Sequence, residues 1–203
     1  MIQHVIGDML DFSKDTPDLI IHQTNCEGRM GGGVAKVIKE KFPKVYVEYL
    51  EFIAHDLFEK RDTIALPIKC SNLLGRVSYS EVPVGDKKVI FANLFAQDSC
   101  SESTAAFSEK RFTSYDAMHE GMVDIRNVLV LSYHVQKLHA KRPVKIWMPE
   151  KIGCVKGGGK YEIVKAIVES VFDNPSFRDM IDLTLFTLPE KNSKLSKGPA
   201  DEM

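Results

Sequence analysis

With 203 residues, 44% of them hydrophobic and 27% charged, the chain has the size of one ordinary globular domain and enough apolar content to bury a core. A net charge of −1 provides no overall basic field, so nucleic acid is not indicated as a partner and any phosphate-bearing ligand must be held by local geometry. There is no leader-like N-terminus, no apolar run near the ~18 residues of a membrane span, and no C-x-x-C pair among Cys26, Cys70, Cys100 and Cys154. The expectation is a soluble, cytoplasmic monomer with reduced thiols, no membrane partner, no metal and no cofactor.

Along the chain, IQHVI (2–6) and DLIIHQT (18–24) read as two buried strands, separated by the turn-prone SKDTPD with Pro17. Gly33 to Phe42 turns helical, with Val34, Val37 and Ile38 on one face and Pro43 ending it. A second helix is predicted over 44–59, striped by Val45, Tyr49, Phe52 and Ile53. RVSYSEVPV (76–84) and KVIFANLFA (88–96) form a strand pair reversed at GDK. A long helix begins near Thr113 or Ser114, with Met118, Met122, Ile125, Leu129 and Tyr133 on its buried face. VKIWMP (144–149) is the next buried strand, and IGCVKGGGKY then leads into the helix YEIVKAIVESVF. IDLTLFTL (181–188) closes a single domain over 1–190, and the polar segment 191–203 is expected to remain a disordered tail.

Strands alternating with helices argue for an α/β layer fold with a largely parallel sheet, in which ligands bind outside the carboxyl ends of the strands. Two glycine loops occupy matching places there, each after a strand and before a helix. Glycine lets the backbone take φ > 0 and approach a ligand, while free N–H groups and the helix dipole favour an anion. The alternative is that Gly31 to Gly33 only make a tight turn or allow close helix packing. The P-loop pattern fails, because Gly153 and Gly159 are separated by five residues and Tyr161 follows Lys160. G-x-G-x-x-G fails as well, with Lys36 and Glu162 at its last glycine position.

GDML after the first strand, LIIHQTNCEGRMGGGVAKVIKEKFP, NLFAQDS, RFTSYDAM and MPEKIGCVKGGGKY, in this order, resemble the macrodomain family, and in particular its branch of ADP-ribose 1″-phosphate phosphatases. The resemblance runs from about Ile2 to Leu188. It implies a three-layer α/β fold, a mixed central sheet flanked by helices, with ADP-ribose or a derivative lying across the strand ends. Carried over, Asp8 accepts a hydrogen bond from the adenine amino group. Gly31, Gly32 and Gly33 wrap the distal ribose and a phosphate. Gly153, Cys154, Val155, Lys156, Gly157, Gly158 and Gly159 offer backbone N–H groups to the pyrophosphate, and Tyr161 walls the distal ribose. Each has a plainer reading beside it: Asp8 as a turn residue after Gly7, Tyr161 as packing at a helix start.

Asn25 falls where the family places an amide against the distal ribose hydroxyls. His22 is either a satisfied structural histidine or a general acid or base, and Gln97 either a ligand contact or a polar loop residue. The lysine-plus-aspartate mechanism of some macrodomain hydrolases is not expected, because Gly157, Gly158 and Lys160 stand where the acid would be. Arg111 either pairs with a phosphate or pins its loop. The first expectation is therefore a phosphatase removing the terminal phosphate of ADP-ribose 1″-phosphate, with His22 and Asn25 as catalytic candidates. A non-catalytic ADP-ribose reader, and a hydrolase releasing ADP-ribose from protein or nucleic acid, are the alternatives.

Overall fold

The computed structural model describes residues 2–59, 70–99, 111–136 and 142–189. The expected tail over 191–203, Cys100, and most of the segment before Arg111 lie outside these residues. Six strands, β1 (Ile2–Ile6), β2 (Leu19–Asn25), β3 (Val77–Val84), β4 (Lys87–Gln97), β5 (Val144–Pro149) and β6 (Ile181–Thr187), make one sheet in the order β1-β6-β5-β2-β4-β3. All neighbours run parallel except β3, which returns antiparallel along β4 through the tight turn at Gly85. The sheet is therefore mixed, as expected, and the carboxyl ends of five strands lie on one edge.

Helices cover both faces. On one, α3 (Tyr115–Gln136) and α4 (Tyr161–Phe172) lay Met118, Met122, Ile125, Val164, Val168 and Val171 against Leu19, Ile21, Leu94, Met148 and Leu183. On the other, α1 (Gly33–Lys41) and α2 (Pro43–Glu59) bring Ile38 and Val45 onto Ile20, Val89 and Phe91, while Tyr49 and Ile53 meet Cys26, Met30 and Phe95. Each fully buried aliphatic or aromatic side chain contributes about 1.5–3 kcal/mol. Between those last two clusters runs a polar row, His22, Asn93 and Ser78, across β2, β4 and β3.

Two expectations change. The first strand is not buried: β1 pairs only with β6, and Val5 and Ile6 are 39% and 78% exposed, because an edge strand has a neighbour on one side alone. Pro43 not only ends α1 but opens α2, where its fixed φ suits a first helical position and its missing N–H costs nothing. Among the described residues no helix is long and apolar enough to cross a membrane, and no group of three or more His, Cys, Asp or Glu is placed to hold a metal ion.

Candidate functional site

Strand order sets the row of loops on the carboxyl edge. Asp8 follows β1, Leu188 follows β6, the second glycine loop follows β5, the first follows β2, and Gln97 ends β4. The two glycine loops are thus neighbours, since β2 and β5 are paired in parallel. Asp8 accepts from the backbone N–H of Leu10 at 2.9 Å and from Lys41 Nζ at 3.4 Å, and it remains about half exposed. This keeps a carboxylate at the C-terminal end of α1, while the first glycine loop is at that helix's N-terminus.

A bulge at Thr24–Asn25 releases β2 into the first loop. There Asn25 uses its amide within its own turn: Oδ1 accepts from the N–H groups of Glu27 (2.9 Å) and Arg29 (3.2 Å), and Nδ2 donates to the Arg29 carbonyl. Tyr49 donates to the Asn25 carbonyl at 2.6 Å and accepts from the N–H of Gly28, and Tyr46 donates to the Gly28 carbonyl. Burial pushes the Tyr49 phenol well up, so it stays a neutral clamp. Beyond this clamp Gly31 and Gly33 meet nothing within 4 Å of a would-be Cβ, and Gly33 has φ +57°. The N-terminus of α1 carries no side-chain cap and no acid in its first turn. The N–H groups of Gly31, Gly32 and Gly33 have no hydrogen-bond partner among the described residues.

The second loop is built inward. Gly159 donates to the Gly153 carbonyl at 2.9 Å and closes the loop on itself, while the N–H groups of Phe112 and Thr113 donate to the Gly157 carbonyl. Thr113 Oγ1 donates to the Gly153 carbonyl at 2.8 Å and accepts from Gln23 Nε2 at 3.0 Å. A Cβ on Gly157 would lie 2.1 Å from Thr113 Oγ1 and 2.5 Å from the Gly153 carbonyl oxygen; one on Gly153 would lie 2.3 Å from Gln23 Oε1. Gly153 and Gly158 take φ near +70°. Val155 is 76% exposed, and the N–H groups of Val155, Gly157 and Gly158 have no partner among the described residues. Cys154 donates weakly to the Ile152 carbonyl, and burial raises its thiol, which removes thiolate character.

The remaining candidates are placed as follows. Gln97 binds Gln23 through Oε1 and the Ser99 carbonyl through Nε2, so it belongs to the scaffold under the loops. His22 is 1% exposed, inside the sheet, with Nε2 2.7 Å from Asn93 Oδ1. Burial depresses its pKa to about 4 and keeps it neutral. A general acid or base has to reach the reacting atom, and a core histidine does not. The Tyr161 hydroxyl donates to Glu150 Oε1 at 2.8 Å, which pushes the phenol up to about 12. Glu150 also accepts from Thr187 and lies 3.1 Å from His4 Nδ1. Together Tyr161, Glu150 and His4 line a groove along α4. Arg111 stacks 4.3 Å over the Tyr115 ring, consistent with pinning its loop.

Sequence reasoning missed Gln23, Thr113, Tyr49 and Tyr115. Tyr115 caps α4 from another element, accepting from the N–H of Lys160 at 2.8 Å. Gln23 left only a weak signal, one polar side chain among His22, Thr24 and Asn25 at the end of β2; Thr113 left none, because its partners lie 40 and 90 residues away in sequence.

Comparison with known proteins bears on this geometry. No protein-family model matches the chain. A curated ADP-ribose 1″-phosphate phosphatase of Debaryomyces hansenii is 32% identical over 104 residues, covering 48% of this chain and 55% of that one. One of Scheffersomyces stipitis is 40% identical over 52 residues, covering 24% and 30%. The matches thus span between about a third and about half of these relatives' length. Among solved structures, the macrodomain of Mycobacterium tuberculosis DarG aligns over 94% of this chain and 99% of its own, with TM-score 0.59 and 17% identity. Thermosipho africanus DarTG in complex with ADP-ribose aligns over 93% of this chain and 41% of its own, with TM-score 0.60 and 18% identity. With its six-stranded mixed sheet and two glycine loops on one edge, the chain has the macrodomain fold, and over part of its length its sequence is similar to curated ADP-ribose 1″-phosphate phosphatases.

Proposed function

We propose that the chain binds ADP-ribose derivatives along the carboxyl edge of the sheet and hydrolyses the terminal phosphate of ADP-ribose 1″-phosphate. The observation that carries this reading is the pair of adjacent loops whose backbone N–H groups, at Gly31 to Gly33 and at Val155, Gly157 and Gly158, lack partners among the described residues. Such groups at a helix N-terminus and in a glycine loop suit phosphate oxygens. Asp8 lies by the other end of α1, a helix about 12 Å long from Gly33 to Lys41 at 1.5 Å per residue. That spacing fits an extended nucleotide with adenine at one end and a sugar phosphate at the other. Exposed Ile6 and Leu188 give the adenine an apolar seat beside Asp8.

In the reaction, water adds to phosphorus, the P–O bond to the anomeric oxygen breaks, and that oxygen takes up a proton, giving ADP-ribose and inorganic phosphate. The loop N–H groups stabilise charge on the phosphoryl oxygens, the main task in phosphoryl transfer. An anomeric hydroxyl is more acidic than an ordinary alcohol, so its oxygen leaves with less help from a proton donor. Asn25 and His22 then act as positioning residues: Asn25 shapes the first loop, and His22 ties β2 to β4 through Asn93.

The test is incubation of the purified protein with ADP-ribose 1″-phosphate, with and without chelator, following ADP-ribose and phosphate. More than one turnover per protein is expected. Tight binding without turnover would favour the reader, a reading supported by the internal engagement of both His22 and Asn25.

A further inference from the structure

The two edges of the sheet are finished differently. At β3, Pro83 supplies no N–H, and Lys44 Nζ donates to the Glu81 carbonyl at 2.7 Å, so the edge is blunted. At β1, IQHVI holds no proline and no Asp, Glu, Lys or Arg, and its register with β6 runs unbroken from Ile2 to Ile6. The Gly7 N–H donates to the Thr187 carbonyl. By the alternation of a parallel pair, Gln3 and Val5 then bond towards β6, and the N–H and C=O groups of His4 and Ile6 point outwards. Those outward groups have no hydrogen-bond partner among the described residues. An apolar edge left in this state is a template for another strand.

The groove along α4 decides what kind of strand fits. Ile2 and His4 of β1 line it together with Glu150, Lys165, Glu169 and Asp173. Three carboxylates thus share one lysine, which lies 3.9 Å from Glu169, and Asp173 enters no ion pair among the described residues. We propose that β1 accepts an extended segment of a partner protein as a further strand, with Lys or Arg at alternate positions projecting towards this groove. Backbone pairing supplies the affinity, and the carboxylates select the side chains. A second copy paired antiparallel through β1 would instead set two acidic grooves side by side, and like charge opposes that. This edge works without any ligand in the glycine loops.

The probe is acetyl-Val-Lys-Val-Lys-Val-amide, titrated into isotope-labelled protein without ADP-ribose and followed by amide NMR and hydrogen exchange. Its controls are the peptide with Glu in place of Lys and the peptide N-methylated throughout. Exchange at the His4 and Ile6 amides is expected to slow, and the N-methylated peptide to leave it unchanged. At low salt the lysine peptide should bind at least about fivefold more tightly than the glutamate peptide, a gap that closes at high salt and in Glu169→Gln combined with Asp173→Asn. Absence of binding at millimolar peptide, shifts confined to other surfaces, or equal binding by the N-methylated peptide overturns the strand pairing. Equal affinity for the two charged peptides overturns the selection of basic side chains. A protein with a dimer's mass and protected His4 and Ile6 amides before any peptide is added makes a second copy the occupant, and the proposal falls.

Discussion

The two glycine loops look alike in sequence and are built for opposite reasons. In the first, Gly31 and Gly33 face open space, and the loop's shape is imposed from below by Asn25, Tyr46 and Tyr49. In the second, Gly153, Gly157 and Gly159 have no room for a side chain, because Gln23, Thr113 and the loop's own carbonyl fill the space a Cβ would need. In one loop glycine faces open space, in the other it leaves room for what packs within. A glycine run therefore reports a close backbone approach without saying to what.

The sharpest way to break this comparison is Gly157→Ala. Its new methyl would meet Thr113 Oγ1 at 2.1 Å and the Gly153 carbonyl at 2.5 Å, so about 3 kcal/mol of stability is expected to be lost, roughly 6–12 °C in Tm. Thermal melts of Gly157→Ala, Thr113→Ala and the double variant apportion the loss. A double variant more stable than the sum of the two would place the clash on the hydroxyl. Simple additivity would place it on the carbonyl.

Next in size is a pH effect in the strand beneath the first loop. His22 is held neutral by burial, with a folded pKa of about 4, while the unfolded chain protonates it near 6.5. Between these values the unfolded state binds the extra proton, so stability is full above pH 6.5 and declines as pH falls towards 4, by on the order of 3 kcal/mol. Glu150 and Asp18, whose carboxylates are held below their ordinary range, lose their contributions only at lower pH. Urea titrations from pH 7 to pH 4 should show this decline in the unaltered protein and a flatter profile in His22→Gln. Parallel profiles would remove His22 as its source.

How much of this was legible beforehand follows from the range of each interaction. The elements around both loops were readable, since alternation and three-to-four spacing are local. The buried face of α3, through Met118, Met122 and Ile125, is a direct case. The exposure of β1 was not readable, because IQHVI is equally apolar at an edge or in the middle, and strand order is decided by pairing with β6 some 180 residues on. Nor was the place of His22: both faces of β2 are covered by helices, so parity alone cannot separate a cleft residue from a core one. The partner of Tyr161 was not readable either: the resemblance implies a wall for the distal ribose, and the hydrogen bond of its hydroxyl to Glu150 at the end of β5 links residues whose pairing no local pattern marks.

Asn25→Ala tests the support of the first loop. It removes the acceptor of two backbone N–H groups and the donor to the Arg29 carbonyl, and about 2 kcal/mol should be lost. If Asn25 acts through loop shape, affinity for ADP-ribose falls together with any activity. Activity lost at unchanged affinity would return Asn25 to direct contact with the reacting atoms.

The smallest stability effects fall on the glycines themselves, and they sharpen the contrast most. Gly33→Ala should cost about 1 kcal/mol, because φ of +57° strains any side chain there although nothing crowds it. Gly31→Ala meets neither obstacle, and its stability should stay within about 0.5 kcal/mol of the unaltered protein. Its methyl nevertheless occupies the space into which the proposed ligand fits. ADP-ribose affinity should therefore fall at least about tenfold, the loss of one or two hydrogen bonds from the loop N–H groups. A protein that keeps both its melting temperature and its affinity would mean that Gly31 faces solvent rather than ligand. The first loop's glycines would then need another explanation, while the second loop's internal packing would stand unchanged.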